Sequence, residues 1–200
     1  YLILLFDNLQ LKSILSTKIF SASILFATLS LVLHPPFLPL GIPAPYAPFL
    51  IYQIWEIPLF IALFLFGPIS AFLASFINFI SLLIFFPGQL ITGPIYNLIA
   101  IYSSFIGIIL MHNLQYFQRK KNLVILTCSA IIIRTSIMTV INFIALPMNP
   151  PIGFAIPESA LPVTLGLIAL FNSTLIAYSV PISYVISNMV KQAIQIKTWI

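Results

Sequence analysis

The feature that most limits this chain is a succession of apolar runs, each near the length of a bilayer crossing and each ended by proline, glycine or basic residues. A helix needs about 20 predominantly apolar residues to cross the hydrocarbon core. Runs of this kind cover residues 18–34, 49–66, 69–86, 94–112, 123–146 and 163–190. Only 6% of the residues are charged and 61% are hydrophobic, whereas a soluble domain is roughly a quarter charged. There is too little polar surface here to cover a body in water. Unpaired backbone groups are too costly in lipid for anything but helices or a closed barrel. The strict apolar–polar alternation of barrel strands is absent. The expected fold class is all-α: a single integral membrane domain over 1–200, built as a bundle of six transmembrane helices.

The breaks refine the layout. Residues 1–17, with Asp7, Asn8, Gln10 and Lys12 after an apolar start, read as an interfacial or frayed N-terminal segment. The bundle takes 18–190, and 191–200 forms a tail. Proline removes a backbone donor and clashes with a continuing helix, so the proline-rich stretches 35–48 and 146–162 read as irregular loops. Gly67-Pro68, Pro87-Gly88 and Gly93-Pro94 mark further helix ends. The chain starts with Tyr1, and Tyr1–Phe6 lacks the basic region and cleavage pattern of a signal peptide.

Charge sets the orientation. Lys12, Lys18, Arg119, Lys120, Lys121, Lys191 and Lys197 fall at the start, between the fourth and fifth runs, and in the tail. With six crossings these lie on one side, which the positive-inside rule makes the cytoplasm, with both termini there. The net charge of +5 is then a topology signal, and no nucleic-acid partner is expected. Cys128 is the single cysteine, which excludes an internal disulfide and a cysteine metal site.

Arg134 lies in the middle of the fifth run, where a charge costs about 2.5–3.5 kcal/mol on insertion scales. It must face the bundle interior, either as an anchor for a ligand's anionic or carbonyl group or as a buried arginine tied to helix carbonyls or a carboxylate. At about 100° per residue, Thr135, Thr139 and Asn142 share a face with Arg134 at its edge. Asn97 aligns with Ser104 on the fourth run, and Asn172 with Ser179 and Ser183 on the sixth. Such stripes serve interhelical hydrogen bonding or a shared pocket. The pocket is the favoured reading, with Asn97, Asn142 and Asn172 at similar depth below the outer loops. Trp55 and Glu56 open the second run and add to this candidate ligand site. Tyr46, Tyr52 and Phe154 are further aromatic candidates, or an interfacial belt. Ser23 and Ala27 form a small-residue pair on the first run, suited to close helix packing or to docking a partner. His34 and His112 sit at opposite ends of their runs, and no GxSxG, HExxH or phosphate loop is present. No catalytic residue, metal site or resident cofactor is expected, and the chain does not read as an enzyme.

The order of these elements resembles the substrate-binding (S) component of energy-coupling factor (ECF) transporters, most of all the riboflavin-type members. The resemblance rests on Glu56-Ile57-Pro58 and Gly67-Pro68, on Gly93-Pro94-Ile95-Tyr96-Asn97, on Met138, Asn142, Phe143 and Pro147, and on Phe171-Asn172. It spans about 18–190. Departures are Ser23 in place of the family's alanine, Glu56 in place of aspartate, and Ser173-Thr174-Leu175 where riboflavin-type members carry a lysine. The resemblance implies a ligand pocket near the outer face capped by the first and fifth loops. It also implies a transmembrane coupling subunit, docked through Ser23 and Ala27, and two ATPase subunits. The expected function is capture of a vitamin-like small molecule, riboflavin or a relative, at the cell (plasma) membrane, amid membrane lipid, for ATP-driven uptake. Alternatives are a stand-alone carrier or channel, which is expected to show internal repeats, and a membrane scaffold or membrane-embedded enzyme.

Overall fold

The computed structural model describes residues 17–35, 37–85, 92–117, 122–194 and 199. The N-terminal segment before Thr17, the Pro87-Gly88 break, Arg119 to Lys121, and Lys197 lie outside the described residues. Six helices are described: α1 (Thr17–Val32), α2 (Glu56–Phe66), α3 (Pro68–Phe85), α4 (Gly93–Phe117), α5 (Leu123–Ala145) and α6 (Leu161–Ile194). Between α1 and α2 runs a hairpin of β1 (Ile42–Ala44) and β2 (Ala47–Tyr52).

The helix starts follow local chemistry. Pro68 opens α3, where its missing N–H has no intrahelical partner to lose. The Asn122 side chain accepts a hydrogen bond from the Val124 N–H and caps α5. Gly67, at φ +89°, makes the turn between α2 and α3 that a side chain resists.

The second expected crossing, 49–66, is corrected. Its first part is strand β2, and the helix begins only at Glu56. The first proline-rich loop is likewise partly ordered as an antiparallel ladder pairing Ile42 with Tyr52 and Pro43 with Ile51. Pro43, Pro45 and Pro48 forbid an early helix, and Phe49, Ile51 and Tyr52 favour extended backbone. As a result α2 has 11 residues, about 16 Å of helix. At 16 residues, α1 covers about 24 Å. Both fall short of the roughly 30 Å hydrocarbon core. The other helices are long and apolar enough to cross it.

Neighbouring helices follow a closed circuit, α1–α3–α4–α5–α6–α2 and back to α1, with α2 also against α3. Nine of the residues of α2 are buried. Phe60 and Phe64, with Phe105 and Ile108 of α4 and Ile176 of α6, are sealed from solvent. Phe60 meets Phe105 edge-on at 5.5 Å. Gly107 lets α4 and α5 touch, since a Cβ there would lie 2.7 Å from the Ser129 carbonyl. Outward faces carry large apolar side chains, such as Leu25, Phe76, Ile132 and Val140. Water would reject such a surface and lipid accepts it. The protein is a multi-pass membrane protein.

Two ends can be told apart. At one, Lys18 lies over the Phe66 ring and His112 packs against Trp199. Of the described basic residues, Lys18 and, in the last turn of α6, Lys191 are at this end, labelled inner below and the opposite end outer. At the other lie the hairpin and the 146–160 loop.

Candidate functional site

Where the circuit closes, Arg134 of α5 forms a bidentate ion pair with Glu56: Nη1 donates to Oε2 at 2.7 Å and Nη2 to Oε1 at 2.9 Å. Its Nε donates to Asn172 Oδ1 at 2.8 Å. Both charged side chains are almost wholly buried, at 4% and 2% exposure. Three helices are thus joined through one guanidinium. The planar fork suits this, since it meets a carboxylate edge-on with two parallel bonds. Asn172 completes its own bonding by donating to the Ile168 carbonyl.

Beside this cluster, and on another face of α2, lies a hollow in the outer half of the bundle. Trp55, Ser75, Asn78, Phe79, Asn97 and Ile101 line it, together with Leu59, Leu82, Pro94 and Leu98. It has room for about one water molecule. Asn78 is buried and donates to Ser30 Oγ at 3.0 Å, which in turn donates to the Trp55 carbonyl at 2.8 Å. His34 stacks on the indole of Trp55 at 4.8 Å. The Trp55 wall is therefore held from α1, from α3 and from the segment after α1. The Asn97 amide, half-buried, makes no side-chain hydrogen bond to a described residue.

Two segments at the outer end are stapled to the bundle by tyrosines. The hairpin is tied to α6: the hydroxyls of Tyr46, Tyr52 and Thr174 form a chain, and Tyr178 donates to the Gln53 carbonyl at 2.6 Å. The 146–160 loop is tied to α4: Tyr96 donates to the Ile152 carbonyl at 2.6 Å, and Thr92 to the Pro151 carbonyl at 2.7 Å.

The candidate residues fall into groups. Glu56, Arg134 and Asn172 form the ion-pair cluster, while Trp55 and Asn97 line the hollow. Asn142 does not line the hollow: its amide donates to the Met138 carbonyl of its own helix at 2.7 Å. Thr139 is half-buried on α5 without a side-chain hydrogen bond to a described residue. Asn97 and Asn142 lie within about 6 Å of their outer helix ends, but Asn172 is about 16 Å along α6. Arg134 is as far from the outer end of α5, and its Nε reaches Asn172. Phe154 is 59% exposed and does not line the hollow. Ser23 and Ala27 face the interior of the bundle. Both are fully buried, and Ser23 Oγ reaches the Ser70 carbonyl of α3 at 3.2 Å. The small face of α1 is covered by its own bundle, and the exposed side of the helix carries Phe20, Ile24, Leu25 and Leu29.

Ser75 and Asn78 share a stripe of small residues with Ala71 and Ala74 of the third run, which in the sequence reads as packing. Their role as walls of the hollow shows only once α4 is set opposite α3. The available signal was an asparagine amid small residues, more polar than packing requires.

The molecule is a closed bundle of apolar helices that holds a buried ion pair and a small hollow. The fold is that of a solved structure described as the S component of a bacterial ECF transporter, with a TM-score of 0.67 and 16% sequence identity. The match covers 90% of this chain and 98% of that one. No family model matches the sequence, and no curated protein is similar to it.

Proposed function

We propose that this chain is the substrate-capturing subunit of an importer. In this reading it binds a vitamin-like small molecule, riboflavin or a relative, at its outer end in the plasma membrane. Uptake is driven by ATP through a transmembrane coupling subunit and two ATPase subunits. The observation that supports the reading is the hollow: an indole wall held by its neighbours and lined by two carboxamides, at the end of the bundle where the hairpin and the 146–160 loop are stapled by tyrosines. A site of a few placed polar groups among aromatic and aliphatic walls is what small-molecule recognition requires. The hollow is smaller than any vitamin, so capture opens the outer end, and the tyrosine staples are the contacts that must yield. The likeness of fold to an S component supports the partners, and the basic inner end supports a cytoplasmic location for both termini. In this reading α1 and α2, too short alone, complete their crossings with the 33–55 segment. Irregular backbone is tolerated at membrane depth where protein buries it.

The test is binding by the purified full chain. Mass spectrometry of the protein as isolated should find a retained small molecule, and titration with a vitamin panel should quench Trp55 fluorescence. The Trp55→Phe variant identifies which tryptophan responds, since Trp199 lies at the other end. No retained molecule, with no response to any member of the panel, would overturn the proposal.

A further inference from the structure

We infer that the outer site accepts only ligands without net charge, and that Glu56 enforces this by occupying the Arg134 guanidinium; the inference rests on the capture function proposed above. The charged side chains among the described residues are Lys18, Glu56, Arg134, Glu158 and Lys191. Lys18 lies at the inner end over Phe66, and Lys191 is in the last turn of α6. Glu158 is exposed on the outer loop. The remaining charges precede α1, lie between α4 and α5, or follow α6 in sequence. In the outer half of the bundle this leaves the Glu56–Arg134 pair as the buried charge, and its two members cancel.

An anionic ligand would look to Arg134. Both terminal nitrogens of the fork already donate to Glu56, and Nε donates to Asn172. A ligand carboxylate or phosphate taking that edge would leave Glu56 as an unpaired carboxylate at 2% exposure, which the protein interior penalises heavily. A cationic ligand meets the same obstacle from the other side, because pairing with Glu56 would strand Arg134. The hollow offers the Trp55 indole, the Phe79 ring and the carboxamides of Asn78 and Asn97. Each carboxamide has donors and an acceptor. These groups recognise a flat, uncharged heterocycle with amide-like edges. Glu56 is then a specificity-determining residue that acts through Arg134.

Matched pairs of probes that differ in charge on one scaffold test this by calorimetry on the purified full chain: riboflavin against riboflavin 5′-phosphate, nicotinamide against nicotinate, and biotin amide against biotin. For whichever scaffold binds, the uncharged member should bind at least about tenfold more tightly, as expected when the wrong partner leaves a buried polar group unpaired. Glu56→Gln frees the guanidinium and should shift the ratio toward the anion. Adding Arg134→Gln should restore the preference for the neutral member. An anion bound as tightly as its neutral partner by the unaltered chain overturns the inference and leaves capture standing. So does a folded Glu56→Gln protein with an unchanged ratio. If Glu56→Gln does not fold, the pairs on the unaltered chain still decide. Binding of no probe at all overturns the capture proposal, and the inference falls with it.

Discussion

The two halves of this bundle are held together by different means. Around α2 the inner half is packed mainly on carbon: Phe60 meets Phe105 and Phe64 meets Tyr184 edge-on, Ala62, Ala71 and Ala74 are fully buried where helices meet, and a Ser23–Ser70 contact adds a polar tie between α1 and α3. The outer half is closed by discrete polar staples. The Tyr96, Tyr178, Tyr52 and Thr92 hydroxyls each hold one segment to another. Dense apolar packing resists deformation because every displaced atom loses many contacts. A staple is worth about 0.5–1.5 kcal/mol net and is lost in one step. The contrast teaches that one end is built to stay shut while the other can open. The ion pair of Glu56 and Arg134 lies at the boundary between them.

Substitutions can break or sharpen this division. The largest effect should come at the boundary. Arg134→Met leaves Glu56 buried and unpaired and should cost about 3–5 kcal/mol, while the double replacement Glu56→Gln with Arg134→Met should recover much of it. Thermal unfolding in detergent measures both. Equal losses for the single and double variants would show that the pair is not the source of the effect. Next comes the apolar packing. Ala27→Leu forces bulk into the fully buried contact of α1 and should cost about 1–3 kcal/mol, with ligand affinity unchanged in protein that still folds. A large affinity change would show that the halves are coupled. In the outer half, Tyr96→Phe removes a staple to the Ile152 carbonyl and should cost about 1 kcal/mol of stability or less. It should also speed ligand entry in stopped-flow fluorescence, and an unchanged on-rate would show that this segment is not the moving part. The smallest change in stability belongs to Asn97→Ala. With no hydrogen bond to a described residue to lose, it should stay within about 0.5 kcal/mol of the parent, yet it should weaken ligand binding. Intact binding would take Asn97 out of the site.

The fold was largely legible because five apolar runs became helices within a few residues of their expected ends. The misreading was instructive. Residues 49–55 are as apolar as a helix, but Pro48 precedes them and β2 pairs instead with β1. Hydropathy reports burial, not the backbone conformation that provides it. For the site, Arg134 was conspicuous as a lone charge in a long apolar run, and Glu56 stood out as one of very few carboxylates. Their pairing was not legible, since 78 residues separate them. Asn142 looked equivalent to Asn97 and Asn172 because side-chain spacing along a helix says nothing of depth relative to another helix. Asn78 was hidden because its stripe of small neighbours reads as packing.

By itself the sequence determined the solvent. With so few charges and so many long apolar runs, only lipid can surround this chain, and in lipid its backbone must pair internally. The tertiary structure alone decided which polar groups meet. The sign and cost of a buried charge depend on what stands within a few ångströms of it, and in this chain that is set by how α2, α5 and α6 come together.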